Sequence, residues 1–479
     1  MRKIISGLGL LLVTALVSGW HSPMESAFAV PPVAPKNPAS PPPVLPTNPA
    51  AVKPQQALPK AVPPLSQLGK ALFFDPTLSN PPGMACGSCH APAAGFTYPD
   101  SNVNALLGPV PGNVPGRFGN RKPPTISYAT FSPKGPVFSN TFQVFVGGQF
   151  WDGRAADLMS QVPGPLLNPN EMNDILHNVG SPALVVQKVA KGPNAKLFQQ
   201  VYGANVFALP AQQVFVLIAQ AVATWEASPE VSPFNSRYDA MLAGQAIFTP
   251  SEINGLRLVT GSVNGRPGGP PNKSATCVQC HGIPNSPAAG PDLWTFFSYA
   301  NIGAPRNPNN PFYAETNAAT NPLGYNPLGA AYVDLGLGGF LYPANNLPAG
   351  NSGVGSNGKG DFLAVNGKFK IPTLRNVDKR PHGTFVKAYT HNGAFKSLDQ
   401  LVHFYNTRNL TTQPGEVIDF TQANPYSGLT GKPLWPTPEY AAAVTLQNPS
   451  GMPGQIGNLG LTPQEEADIV AFLRTLSDQ

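Results

Sequence analysis

Cys86-Gly87-Ser88-Cys89-His90 sets two thiols one turn apart with an imidazole directly after them, and Cys277-Val278-Gln279-Cys280-His281 repeats the arrangement. At that spacing the two sulfurs can add across the two vinyl groups of a haem, and the adjacent imidazole can reach the iron as proximal ligand. A Cys-x-x-Cys pair alone would also admit a zinc knuckle or a thioredoxin-like redox pair. Here both copies end in histidine, and these are the only four cysteines in the chain. The sequence therefore encodes two covalently bound haem c groups, with Cys86, Cys89, Cys277 and Cys280 as attachment points and His90 and His281 as iron ligands. With every thiol committed to haem, no disulfide remains to be placed.

Other elements must carry and position these sites. Met1-Arg2-Lys3, the apolar run Ile4–Trp20 and Ala27-Phe28-Ala29 read as a secretory signal peptide over residues 1–29. Ser6, Gly7, Gly9, Thr14, Ser18 and Gly19 interrupt the apolar run and make it a poor membrane span. Residues 30–64 form a Pro-rich linker that favours an extended polyproline II path. Removing residues 1–29 takes away two positive charges and one negative, so the formal net charge of +6 becomes +5. The haem propionates then bring the holoprotein near neutrality, and no Lys/Arg cluster supports nucleic-acid binding. Charged residues make up 11% of the chain, with 58 Pro and 48 Gly among 479 residues, a composition suited to long ordered loops around cofactors.

Apolar periodicity predicts helices over 154–161, 183–202, 211–226, 234–242, 250–259 and 397–405. Thr462-Pro463-Gln464-Glu465 is a capping box opening a helix through Leu476. Residues 282–370 lack periodicity and are expected to be ordered loops that cover the second haem or form a surface. The expected fold is mainly α: two cytochrome c-like haem domains with long loops and little sheet, an N-terminal one over 65–230 and a C-terminal one over 231–479.

Several segments carry a resemblance. They are LFFDPTLS at 72–79, Gln149-Phe150-Trp151-Asp152-Gly153-Arg154-Ala155-Ala156-Asp157-Leu158, then Gln161, Pro165 and Asn168-Pro169-Asn170-Glu171-Met172. Further on come Pro372-Thr373-Leu374-Arg375-Asn376, His391-Asn392-Gly393 and the ending LTPQEEADIVAFLRTL. From about residue 65 onward the chain resembles the bacterial dihaem cytochrome c peroxidase/MauG family. The resemblance implies that Trp151 lies between the haems and bridges electron transfer. It also implies that Glu171, Gln161 and Pro165 line the distal pocket of the N-terminal haem, and that Arg375 and His391 belong to the haem surroundings. A carboxylate there has a clear use, because reducing peroxide needs one proton removed from the near oxygen and another delivered to the departing one.

The family match also bears on the axial ligands. Many family peroxidases have a histidine in the loop after the first haem motif; here residues 91–125 contain neither histidine nor methionine. The N-terminal iron is thus expected to be open to peroxide without reductive activation, with His177 in a surface or capping role. The residue fourteen positions after the matched histidine is methionine in the peroxidase branch and tyrosine in the MauG branch; counted from His391 it is Tyr405. The expected second-haem ligands are therefore His281 and Tyr405, with His403 the competing assignment. Two residues on a helix differ by about 200°, so one of that pair faces the iron. Family members also carry a calcium ligated through an Arg-Asn-x-Pro-Thr segment. Arg121-Lys122-Pro123-Pro124-Thr125 puts lysine in place of the asparagine, which argues against calcium and leaves Asn120 and backbone carbonyls as the remaining oxygens.

The implied activity is an exported dihaem peroxidase, in the periplasm or at the cell surface. It would reduce hydrogen peroxide at the N-terminal haem with electrons relayed through the C-terminal haem and Trp151, from a small cytochrome c or a copper protein. The alternative is a MauG-like enzyme that oxidises a residue of a protein or peptide substrate, such as tryptophan, through high-valent haems. A non-catalytic electron-transfer cytochrome is the third reading, and it gains nothing from an open iron beside Glu171. The sequence does not decide the oligomeric state, and a homodimer is compatible with it.

Overall fold

The computed structural model describes residues 64–140, 144–261, 275, 277–282, 292–341, 365–412, 432–441 and 456–479. The segment read as a signal peptide, residues 1–29, and nearly all of the Pro-rich residues 30–64 lie outside the described residues. The first helix, Pro64–Phe73, turns Leu68, Leu72 and Phe73 inward. Asp75-Pro76 ends it, and the Asp75 carboxylate accepts from the Thr77 amide at 2.8 Å to cap a short turn over Pro76–Leu78. Helices Pro182–Lys191, Ala195–Tyr202 and Ala211–Glu226 share the hydrophobic cluster of the first. The single helix expected over 183–202 is two helices, because Gly192 closes one and Pro193 has no N–H to continue it. The helix expected from Arg154 starts only at Leu158, where Asp157 accepts from the Ser160 amide at 2.9 Å. The Arg154 amide is instead drawn to Asp152.

A second hydrophobic cluster gathers helices Arg237–Leu242, Pro250–Thr260, Leu398–Thr407 and Pro463–Arg474. The predicted capping box is present: the Thr462 amide donates to Glu465 at 2.7 Å and the Glu465 amide to the Thr462 hydroxyl at 3.3 Å. Thr249 and Glu252 build the same box. Each cluster is organised on one close helix crossing. A Cβ on Gly69 would sit 1.9 Å from the Ala221 carbonyl oxygen, and one on Gly255 would sit 1.9 Å from that of Asp468. Only glycine lets either backbone pair approach so near.

Sheet is sparse: the described residues hold four two-stranded antiparallel ladders. One pairs Tyr299–Ala300 with Phe369–Lys370, in register Tyr299↔Lys370. The described part of 282–370 is mostly ordered loop, with short turns at Pro311–Ala314 and Gly329–Ala331 and a helix at Gly336–Leu341. Asparagine amides supply its missing hydrogen bonds. Asn307 donates to the Asn392 carbonyl at 2.8 Å, Asn310 to that of Asn120 at 3.0 Å, and Asn326 to those of Phe312 and Gly329 at 3.1 Å each. Among the described residues no helix is long and apolar enough to cross a membrane.

Candidate functional site

Cys86–Cys89 forms a single helical turn, closed by the His90 amide donating to the Cys86 carbonyl at 3.0 Å. The His90 Nδ1 lies 3.1 Å from the Phe96 carbonyl oxygen. An imidazole that donates from Nδ1 keeps its Nε2 lone pair for a metal. Burial lowers His90 to about 4, so the ring is neutral at ordinary pH. The second motif is built alike: Val278–His281 is one turn, and His281 Nδ1 lies 3.1 Å from the Pro372 carbonyl oxygen. Burial lowers His281 to about 4 as well. Burial raises all four thiols, so their sulfurs are neutral, as they would be once joined to haem vinyl groups.

Each motif opens on its own cavity. The first is lined by Cys86, Cys89 and His90 and also by Gln161, Pro165 and Glu171. The second is lined by Cys277, Cys280 and His281 together with Tyr405, Arg375 and His391. Trp151 lines both. Two cavities, each with a paired-thiol set and a neutral imidazole held through Nδ1, fit two covalently attached haems. The residues named from the sequence therefore fall into two groups that share one tryptophan.

Trp151 is clamped from several sides. Its indole N–H donates to the Lys122 carbonyl at 2.7 Å, and its own carbonyl accepts from the Lys370 amide at 2.7 Å. The neighbouring Asp152 is fixed by Arg121 at 2.6 Å and Arg154 at 2.9 Å, and Arg121 also grips Asp334 through two nitrogens. The Lys122 amide donates to the His391 carbonyl at 2.8 Å, which ties the tryptophan clamp to the second cavity. His391 stacks on Phe369 with centroids 3.4 Å apart, and its Nε2 lies 3.6 Å from a Glu439 carboxylate oxygen.

Glu171 accepts from the Asn168 amide group at 3.0 Å. Burial raises its carboxyl above the usual range, against the opposing field of Arg154 and that hydrogen bond. Among the described residues His90 is the only histidine lining the first cavity, although Met84 and Met172, outside the loop considered in the sequence, line it too. His177 is exposed at the tip of the hairpin joining Ile175–Leu176 to Val179–Gly180 and lies off the cavity. Tyr405 and His403 separate as the helical angle requires. Tyr405 lines the second cavity, whereas His403 Nδ1 lies 3.0 Å from Glu466 and is not part of that lining. Burial pushes the Tyr405 phenol up, so it ionises only where a metal takes the place of its proton. Arg375 is fully buried and gives Asp239 a two-pronged bond at 2.8 and 2.9 Å. Asn120 gives its amide to the Tyr332 hydroxyl at 3.3 Å, and Lys122 is buried.

Two features of the cavity walls were not placed there by the sequence. Glu226 ends a long helix and lines the first cavity; burial raises it to about 8, and its Oε2 has no hydrogen-bond partner. Lys122 and Lys370 each line both cavities. Isolated Glu and Lys residues in a sequence read as solvated surface, and only the fold shows them inside.

Known proteins share this architecture. The family model described as di-haem cytochrome c peroxidase matches residues 63–247. The methylamine utilization protein MauG of Paracoccus denitrificans is 33% identical over 417 residues, covering 87% of this chain and 89% of that protein. The cytochrome c551 peroxidase of Nitrosomonas europaea is 28% identical over 350 residues, covering 72% of this chain and 74% of the relative. The crystal structure of the diheme peroxidase BthA from Burkholderia thailandensis superposes with a TM-score of 0.61 at 28% identity, over 89% of each chain. Two thiol–imidazole cavities meeting at one tryptophan, with these similarities along most of the sequence, make the chain an oxidoreductase of the dihaem cytochrome c peroxidase/MauG family.

Proposed function

We propose that this chain is an exported peroxidase that reduces hydrogen peroxide in the cavity of Cys86–His90. Electrons would arrive through the second cavity and Trp151 from a small cytochrome c or copper protein. The observation that carries the reading is the joint lining of the first cavity by His90, Gln161 and Glu171, with Trp151 shared by both cavities. When bound, the haems supply the iron redox chemistry. The protein side supplies protons and order: peroxide takes up two electrons and two protons to give two waters. Glu171, its carboxyl raised by burial, shuttles a proton from one peroxide oxygen to the other, and the Asn168 amide keeps it in place. Gln161 orients the substrate by hydrogen bonding. Among the described residues no second imidazole lines the cavity to compete with peroxide.

A second reading is favoured by one residue. Tyr405, and not a methionine, lines the second cavity, and an anionic oxygen ligand favours higher oxidation states of iron. That suits oxidation of a residue in a protein or peptide substrate, as the similarity to MauG also suggests. Peroxide titration followed by optical and electron paramagnetic resonance spectra, with and without reduced small cytochromes, separates the readings. Catalytic oxidation of those cytochromes is expected. A near-infrared band without cytochrome turnover would move the assignment to the protein-oxidising reading, and inertness to peroxide would overturn both.

A further inference from the structure

Lys122 and Lys370 stand at the wall that the two cavities share, since each lines both. An ammonium carries three N–H donors, and holding one away from water without an anion is costly. A third lysine of the second cavity shows how the fold otherwise meets that need: Lys387 donates to the carbonyls of Ala94, Asn376 and Lys379 at 3.0, 2.8 and 3.0 Å. By contrast, among the described residues Lys122 donates only to the Pro123 carbonyl at 3.0 Å, with its Nζ 5.9 Å over the Trp151 ring, and Lys370 only to the Gly148 carbonyl at 2.6 Å. Among the described residues no carboxylate forms an ion pair with either. Asp152, whose field reaches Lys370, is already bound by Arg121 and Arg154. Burial lowers all three, Lys122 to about 8, Lys370 to about 7 and Lys387 well below the usual lysine range, so it is the hydrogen-bond partners that set Lys122 and Lys370 apart. Each ammonium has donors to spare and lacks an anion, beside cavities shaped for a cofactor whose polar edge bears carboxylates.

We propose that Lys122 and Lys370 form a shared carboxylate seat that holds a propionate of each haem at the wall between the cavities. The pairing replaces the missing counter-charge, and charge-assisted hydrogen bonds in a dry site are the strong ones. It ties the anionic edges of both haems to the clamp that holds Trp151, because the Lys122 carbonyl accepts the indole N–H and the Lys370 amide donates to the Trp151 carbonyl. The two positive charges then bear on both haems, since each lysine lines both cavities. The inference rests on the presence of two haems and is independent of which substrate is oxidised.

The test uses the holoprotein, with haem content measured first by pyridine haemochrome assay. Replacing Lys122 by methionine leaves a propionate uncompensated and disfavours the reduced iron on both sides. Both midpoint potentials are expected to move negative in Lys122→Met, so that at a fixed applied potential the reduced-to-oxidised ratio falls about tenfold. The propionate-bending bands in resonance Raman spectra should shift as well, with Lys122→Arg restoring both signals and Lys370→Met reproducing the loss. Unchanged potentials and bands in variants that keep both haems would overturn the assignment. Should the variants lose haem, a crystal structure of the wild-type holoprotein decides. A propionate oxygen within about 3.2 Å of each Nζ supports the seat, and carbonyls or water alone around either ammonium overturn it. A wild type with fewer than two haems would overturn the cofactor assignment itself, which the haem assay distinguishes from failure of the seat.

Discussion

At the residue scale, three side chains of the cavities differ in their surroundings. Glu171 sits in the first cavity with its carboxyl raised by burial and one oxygen held by Asn168. Glu171→Gln keeps the shape and removes the exchangeable proton. Stopped-flow mixing with peroxide is expected to show a rate roughly a hundred- to ten-thousand-fold lower, with the optical spectrum of both haems retained; a wild-type rate would remove Glu171 from the mechanism. Tyr405 lines the second cavity while its helix neighbour His403 is engaged with Glu466. Tyr405→Phe is therefore expected to change the low-spin paramagnetic resonance signal of the second haem, and His403→Ala to leave it unchanged. Glu226 is a case of burial without a partner. Its folded value of about 8 lies above the ordinary glutamate value of 4.5, so the folded protein holds a proton there that the unfolded chain releases between these values. Its contribution to stability is fully present below 4.5 and is lost as pH rises toward 8. Thermal melts from pH 5 to 8 should show wild type losing stability relative to Glu226→Gln as pH rises, and parallel curves would contradict it.

At the scale of elements, the two hydrophobic clusters are each organised on a glycine crossing. Helix Pro64–Phe73 meets Ala211–Glu226 at Gly69, and helix Pro250–Thr260 meets Pro463–Arg474 at Gly255. A methyl group at either place would meet a carbonyl oxygen at 1.9 Å, and neither partner is a flexible side-chain tip that can swing aside. Gly69→Ala and Gly255→Ala are each expected to destabilise the fold by about 1–3 kcal/mol or more, because overpacking outweighs the gain in helix propensity. Denaturant melts of the holoproteins measure this; unchanged midpoints would mean that the helices slide apart at no cost. These positions read only as helix interior in the sequence, where glycine is unfavourable. The caps were more legible: Thr462 with Glu465 and Thr249 with Glu252 are local pairs, and both close as the residue types dictate. The division of 183–202 at Gly192-Pro193 was equally local, but the apolar periodicity running through it concealed the break.

At the scale of the whole molecule, the two cavities share a wall, and Trp151 stands in it. Substituting Trp151 by phenylalanine keeps an aromatic ring but removes the N–H donated to the Lys122 carbonyl. Trp151→Phe is expected to leave each haem's resting spectrum intact and to slow oxidation of the second haem after peroxide is mixed with the reduced protein. Equal rates in variant and wild type would take the tryptophan off the electron path. The long stretch 282–370 also acts at this scale. Its described part closes over the second cavity through Ala300, Asn301, Ile302, Ala304 and Asp334. Its asparagine amides bind it to backbone carbonyls of distant segments rather than to a ladder. Loss of Asn307, whose amide meets the Asn392 carbonyl, should loosen this cover and raise hydrogen exchange in 292–310 without touching the first cavity.

The sequence by itself determined what is local or covalent. Five consecutive residues suffice to attach a haem, because the two vinyl groups and the iron dictate the spacing of two thiols and an imidazole. Trp151, Gln161, Pro165 and Glu171 were legible through the family pattern, and the cavities hold all four. Helical geometry separates Tyr405 from His403 and the family pattern named Tyr405; the tertiary structure lines the second cavity with Tyr405 and engages His403 with Glu466. The tertiary structure alone placed Lys122, Lys370 and Glu226 in cavity walls, and it alone placed Gly69 and Gly255 against other backbones. Desolvation and close approach depend on segments tens to hundreds of residues apart, and no spacing within one stretch records them.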